Sequence, residues 1–233
     1  MTLSELAFAC FLYGRLTDYD NSYHLFLEIT GGSPDLSNSE HRKALLKWLN
    51  QWGCRQFALD HHEHASGEIL SWHNEHGPTL FPRDRNLWEL SEAELASAGA
   101  AYESLSSRIA SYRKREGRAV PVSIGPTGAA KILFAIRPRA LVPWDDPIRK
   151  SLGYENSQVS YLSFLRSVKS VLEGLAEACQ RNGFQLADLP RLLQRSHSSV
   201  PKLIDEYYWI TTTKQCSPPD SDTFRRWANW SRL

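Results

Sequence analysis

The chain has 233 residues, with 27 Lys and Arg against 26 Asp and Glu, 42% hydrophobic residues and 11% aromatic ones. That is enough apolar material for one sizeable core or two small lobes, and it excludes a disordered tail, a collagen-like repeat and a mini-protein. No run of 18 apolar residues occurs, and Met1-Thr-Leu-Ser-Glu-Leu has an acid where a secretory signal has a positive region, so a soluble, cytoplasmic monomer without a membrane partner is expected.

In chain order, a helix is predicted over 3–15 and a strand over Tyr23–Ile29. Leu45, Trp48, Leu49 and Trp52 fall at i, i+3, i+4 and i+7, which predicts a helix capped by Ser37 or Ser39 and stopped at Gly53. After a helix over 66–76, Ser91 opens a longer one to about Tyr112, with a Ser91-x-x-Glu94 capping box and Leu95, Tyr102, Leu105 and Ile109 as its apolar side. A strand is predicted over Val120–Ile124 and helices over 128–136 and 146–153. The longest helix runs from Ser157 to about Arg181. Tyr161, Leu162, Phe164, Leu165, Val168, Val171, Leu172 and Leu175 cover so much of its circumference that a central place is expected for it. Helices over 186–195, 200–209 and 221–230 and a strand over Ile210–Thr213 complete the pattern. Proline and glycine clusters separate these units, and there is no linker long enough to hold independent domains apart. The expectation is an all-α fold with few or no short strands: one compact helical domain over 1–233, bilobal, its lobes joined by residues 108–154.

The net charge of +1 conceals an uneven distribution. Residues 108–150 carry ten bases against Glu116, Asp145 and Asp146, a local charge of +7 that leaves about −6 for the remainder. A positive face of this kind collects polyanions, although a solvated helix end at Tyr112-Arg-Lys-Arg-Glu116 accounts for some of it equally well.

Within that segment, Gly125-Pro-Thr127-Gly128-Ala129-Ala-Lys131 predicts a tight turn opening into a helix. The first backbone N–H groups of such a helix have no intrahelical partner and form a natural phosphate seat, with Lys131 about one turn inside. The plainer reading is an ordinary glycine turn. Farther on, Trp144-Asp145-Asp146-Pro147-Ile148-Arg149 predicts a helix start with an aspartate cap and a proline beside it. Two carboxylates there sit at the positive end of a helix dipole, where an anion can stabilise a developing cation, and one of the two is needed as the cap.

The arrangement resembles the helix-hairpin-helix DNA glycosylases, over about 30 residues closely and the helical pattern loosely. Gly125 to Lys131 is similar to that family's glycine hairpin, and Val142 to Arg149 to its aspartate segment. The resemblance implies Asp145 as the catalytic acid with Asp146 as alternate, and Lys131 beside them. It implies Gly125, Thr127, Gly128, Ala129, Lys131 and Arg149 as DNA contacts, and Trp144 and Trp209 as walls of a base pocket. Two departures mark a divergent branch: Lys131 falls one position late relative to the second glycine, and Asp146-Pro147 replaces the family's Thr-His. Lys131, grouped with the catalytic residues, is accordingly read as a charge for a phosphate or on the pocket wall, and no Schiff base is expected of it. No iron–sulfur cysteine cluster follows, which excludes that subgroup. Gly31 to Arg55 and Asp205 to Lys214 are similar to bacterial glycosylases used in anti-phage defence, which implies duplex DNA with modified bases as partner, α-glucosylated hydroxymethylcytosine as the excised base, and no cofactor. The competing expectation is a non-catalytic DNA-binding helix-hairpin-helix protein.

Asp60-His-His-Glu-His64 with His73 and His76 invites a metal reading, but the spacing matches no established ligand pattern and a polar loop feeding a surface helix explains it; no metal is expected. Cys10, Cys54, Cys179 and Cys216 are widely spaced, which predicts reduced thiols.

Overall fold

A computed structural model describes residues 1–229 of the chain. The fold is all-α apart from one two-stranded hairpin. The helices are α1 (Leu3–Leu16), α2 (Tyr19–Ile29), α3 (Ser39–Gln51), α4 (His62–His76) and α5 (Glu92–Ser107), then α6 (Gly125–Ile136), α7 (Asp146–Ser151), α8 (Gln158–Arg181), α9 (Leu189–Leu192), α10 (Val200–Tyr208) and α11 (Ser221–Asn229). Strands β1 (Ile109–Arg115) and β2 (Arg118–Ser123) stand between α5 and α6. The helix expected over 221–230 forms as α11; its last residue, Trp230, lies outside the described residues. No helix among the described residues is long and apolar enough to cross a membrane.

Local signals set most boundaries. The Ser91–Glu94 capping box opens α5 as expected, and a second box, Thr2 with Glu5, opens α1. The cap of α3 is Asn38, which lies between the expected Ser37 and Ser39 and whose side chain accepts the Glu40 N–H, and three expected elements take another form. Tyr23–Ile29 belongs to α2: its aromatic and branched residues suit a strand, but only Tyr23 and Phe26, three apart, turn inward, while Leu25 and Ile29 are exposed. The helix from Ser91 stops at Ser107, where Ser106 and Ser107 hydroxyls bond the carbonyls of Glu103 and Ser104, and the chain turns into β1. Ile210–Thr213 continues from α10 as one wide π turn, Trp209–Thr213, in which the Lys214 N–H donates to the Trp209 carbonyl at 3.0 Å.

The most enclosed helix is α6, not α8. Every residue from Gly128 to Ile136 is buried, against α5 on one side and α3 on another. The long α8 keeps Tyr161, Phe164, Leu165, Val168, Leu172, Leu175 and Cys179 inward and its other face in solvent, because Lys, Arg and Glu residues punctuate that face. One contiguous core runs from Leu6 to Ile204, with a smaller cluster of Ala9, Tyr13 and Ile210 beside it. All four cysteines are free thiols, three of them buried.

The element before the glycines is β2, so the turn joins a strand to a helix, whereas the resemblance implies a helix on both sides. Gly125 adopts the left-handed conformation (φ 69°) that this reversal needs.

Candidate functional site

Asp145 caps α7: its Oδ1 accepts the Ile148 N–H at 3.1 Å, while Asp146 is already the first helical residue. The cap and the expected catalytic acid are therefore one residue. Beyond the cap, Asp145 faces a cavity of about 110 Å³ that it shares with Tyr13, Tyr19, Trp52, Lys131, Asp205 and Trp209. Burial pushes the Asp145 carboxyl above the ordinary carboxylate range, and the Ile148 N–H and the Lys131 charge restrain the rise.

Lys131 is buried on α6 and donates to the Trp52 carbonyl at 2.7 Å, with its ammonium 5.4 Å from the centre of the Trp52 ring. Trp52, just past the end of α3, in turn donates from its indole N–H to the Tyr19 carbonyl at 3.0 Å. Tyr13 and Tyr19 set their rings edge-on to Trp209, with centroids 5.3 and 6.2 Å away. The cavity therefore has aromatic walls and two acids and a base within them.

Asp205 is the second acid. It projects from α10, with the fully buried Lys202 ammonium 3.1 Å away, and Lys202 also lies 3.4 Å from Glu206 and 4.2 Å from the centre of the Tyr13 ring. Burial raises the Asp205 carboxyl, Lys202 holds it down, and the charge of Asp145 raises it further. Arg195 extends the network, contacting Glu206 at 2.8 Å and pairing with Asp20.

No family model, curated protein or solved structure matches the chain. The site therefore rests on its own geometry.

Of the residues expected from sequence, Asp145, Lys131 and Trp209 come together at the cavity. The others do not. Asp146 is exposed and held by Arg149 and by Lys150 at 2.6 Å, which keep its carboxyl below the usual range, so it cannot stand in as a buried acid. Arg149 is buried, with its guanidinium on Asp146 and on the Tyr154 carbonyl at 2.9 Å, and offers nothing to a DNA strand. Trp144 is a core residue, stacked on Phe164 with centroids 5.3 Å apart. Gly128 and Ala129 are buried and Gly125 and Thr127 half-buried, so only the outer edge of the turn is left to meet a phosphate. Gln56 closes the rest: its amide donates to the Ile124 carbonyl at 2.7 Å. A Cβ on Gly128 would come within 2.6 Å of that amide nitrogen and 2.9 Å of Ile124. Gly128→Ala is expected to destabilise the fold by about 1–3 kcal/mol, read as a shift of the urea midpoint. Among the described residues no three His, Cys, Asp or Glu side chains are grouped to hold a metal ion.

Sequence reasoning missed Tyr13, Tyr19, Trp52 and Asp205. For Asp205 a signal existed: Lys202, Asp205 and Glu206 stand at i, i+3 and i+4 on a segment whose other positions are largely apolar, the mark of charges paired inside a core.

Proposed function

We propose that the protein is a DNA N-glycosylase that takes an extruded nucleotide into this cavity and hydrolyses its glycosidic bond. One observation carries the reading: Asp145 faces a cavity walled by the rings of Tyr13, Tyr19, Trp52 and Trp209, with Lys131 and not an arginine beside it. Breaking the bond leaves the deoxyribose with oxocarbenium character. An ionised Asp145 beside the anomeric carbon stabilises that charge and takes the proton of the attacking water, while the electrons of the broken bond leave with the base. Trp52 and Trp209 supply flat faces for a base taken out of its stack. Asp205, once ionised, is acceptor-only and suits the N–H edge of that base.

The cavity has the bulk of about four waters at ~30 Å³ each, so it suits one planar ring. The anti-phage reading, with a glucosylated hydroxymethylcytosine as substrate, then requires the hexose to lie outside the cavity while the cytosine ring occupies it. The test is a panel of unmodified, deaminated, oxidised, alkylated and glucosylated duplexes, assayed for abasic sites; free base from at least one is expected.

Lys131 is expected to act as a wall charge. Attack by its nitrogen requires it to leave both the Trp52 carbonyl and the Trp52 ring. Borohydride is therefore expected to trap no covalent DNA adduct, and base release is expected without strand cleavage; a trapped adduct that disappears in Lys131→Gln overturns that assignment.

A second reading, a non-catalytic DNA-binding protein, draws on the Asp145–Ile148 bond, which gives the carboxyl a purely structural task. It entails salt-sensitive binding and no alkali-labile site on any duplex of the panel.

A further inference from the structure

The β1–β2 hairpin carries a concentration of cations that the cavity does not use. Its strands pair antiparallel, with Arg115 opposite Arg118, Lys114 opposite Ala119, Arg113 opposite Val120 and Tyr112 opposite Pro121. Every residue from Tyr112 to Val120 is exposed, and among the described residues Arg113, Lys114, Arg115 and Arg118 form no ion pair. Side chains alternate along a strand, so Tyr112 and Lys114 share one face and Arg113, Arg115, Arg118 and Val120 the other. Tyr112 packs its ring toward His61 and His64, at 5.8 and 5.5 Å, which turns the three-arginine face outward.

Two features of this ribbon cost stability. Like charges directly opposite each other, as at Arg115 and Arg118, repel. At the tip, Glu116 is held at φ 51° next to Gly117 at φ 77°, a left-handed pair that glycine accepts readily and glutamate does not. A ribbon that keeps these costs while exposing its cations is built to meet an anion. Its root connects to the cavity through Gln56 and α6: the Ser111 hydroxyl donates to the Gln56 carbonyl at 2.7 Å, the Gln56 amide donates to the Ile124 carbonyl and packs on Gly128, and Lys131 of the cavity wall follows about one turn later on that helix.

We infer that the hairpin is a nucleic-acid arm: Arg113, Arg115 and Arg118 lie along the sugar–phosphate backbone of duplex DNA beside the cavity and hold it without reading its sequence. A two-stranded ribbon fits a duplex groove, and guanidinium groups pair with phosphate oxygens. The inference rests on DNA being the partner, but not on the cavity being catalytic.

The experiment is a titration of a fluorescent unmodified duplex with the full chain and with the triple variant Arg113→Gln/Arg115→Gln/Arg118→Gln, across roughly 50–200 mM salt, with melting curves for both proteins. Three lost phosphate contacts are expected to lower the slope of log affinity against log salt by about 2.7 and the affinity itself about 10- to 100-fold, with the melting temperature unchanged or higher because repulsion is relieved. An unchanged slope overturns the inference, as does failure of the wild-type chain to bind duplex. A melting temperature that falls with the affinity also overturns it, since the arginines are then structural. So does hairpin-dependent binding to phosphatidylserine vesicles without binding to duplex. Hairpin-dependent binding with no base released from any duplex sustains the arm and ends the hydrolase reading, whereas base release with an unchanged salt slope ends the arm alone.

Discussion

Asp145→Asn is expected to reduce base release by about 10³-fold or more while leaving duplex affinity within about twofold. The amide keeps the cap on α7, because asparagine is as good a cap as aspartate, but it can neither carry the negative charge nor accept the proton of water. Its effect on stability has a definite sign. The folded-state pKa of Asp145 is raised, so folding favours the protonated form and this contribution is lost as pH rises through the folded value. At neutral pH the ionised carboxylate therefore costs stability, and the asparagine variant is expected to melt at the same temperature as the wild type or higher. The same shift places the acid limb of the wild-type rate profile above the range of an ordinary carboxylate, and activity falls as pH drops through it. Calorimetry and an abasic-site assay across pH check both statements. Full activity in Asp145→Asn, or an Asp145→Asn chain that no longer folds, contradicts them.

Lys202→Met is expected to be the most damaging single change to the fold. It keeps the length of the side chain but leaves Asp205 and Glu206, both buried, without the ammonium at 3.1 and 3.4 Å. Burial alone would strip the proton from Lys202, yet Tyr13, Asp205, Glu206 and Asp20 around it hold it charged. Removing one partner of a buried charge cluster costs about 3–5 kcal/mol, which urea unfolding would report. For a chain of this length that corresponds to a drop in melting temperature on the order of 10 °C. Lys202→Met combined with Asp205→Asn is expected to recover some of the loss, since the pair is coupled; strict additivity of the two changes would show that it is not. Base release should fall in Lys202→Met even where the protein remains folded, because Asp205 loses the group that fixes it at the cavity.

Local chemistry explains which regions of the molecule are legible in the sequence. The α3 helix announces itself through Leu45, Trp48, Leu49 and Trp52, and α5 through Ser91 and Glu94, all within a few residues of one another. Asp145 and Lys131 are accessible for the same reason, because a glycine turn and a helix cap mark both within one short segment. Trp144 misleads because adjacency in sequence is not adjacency in space: next to a capping residue, its ring turns the other way, onto Phe164. The first strand of the hairpin reads as the end of α5 because arginine and lysine are strong helix formers, and only the left-handed Glu116-Gly117 tip decides against that. Tyr13 and Tyr19 carry no local mark of the cavity, and the spacing of Lys202, Asp205 and Glu206 marks buried charges without saying what Asp205 faces. Packing of α1, α2 and α10 around Trp52 brings them there.

That packing has a consequence for biosynthesis. The first wall of the cavity is contributed by Tyr13 and the last by Trp209, so nearly the whole chain lies between two side chains that stand 5.3 Å apart. Contacts of such sequence separation form late, after the loop between them has closed. With translation proceeding at about 5–20 residues per second, the ribosome must release every residue from Tyr13 through Trp209 before the cleft exists, and a product truncated before Trp209 lacks one of its walls.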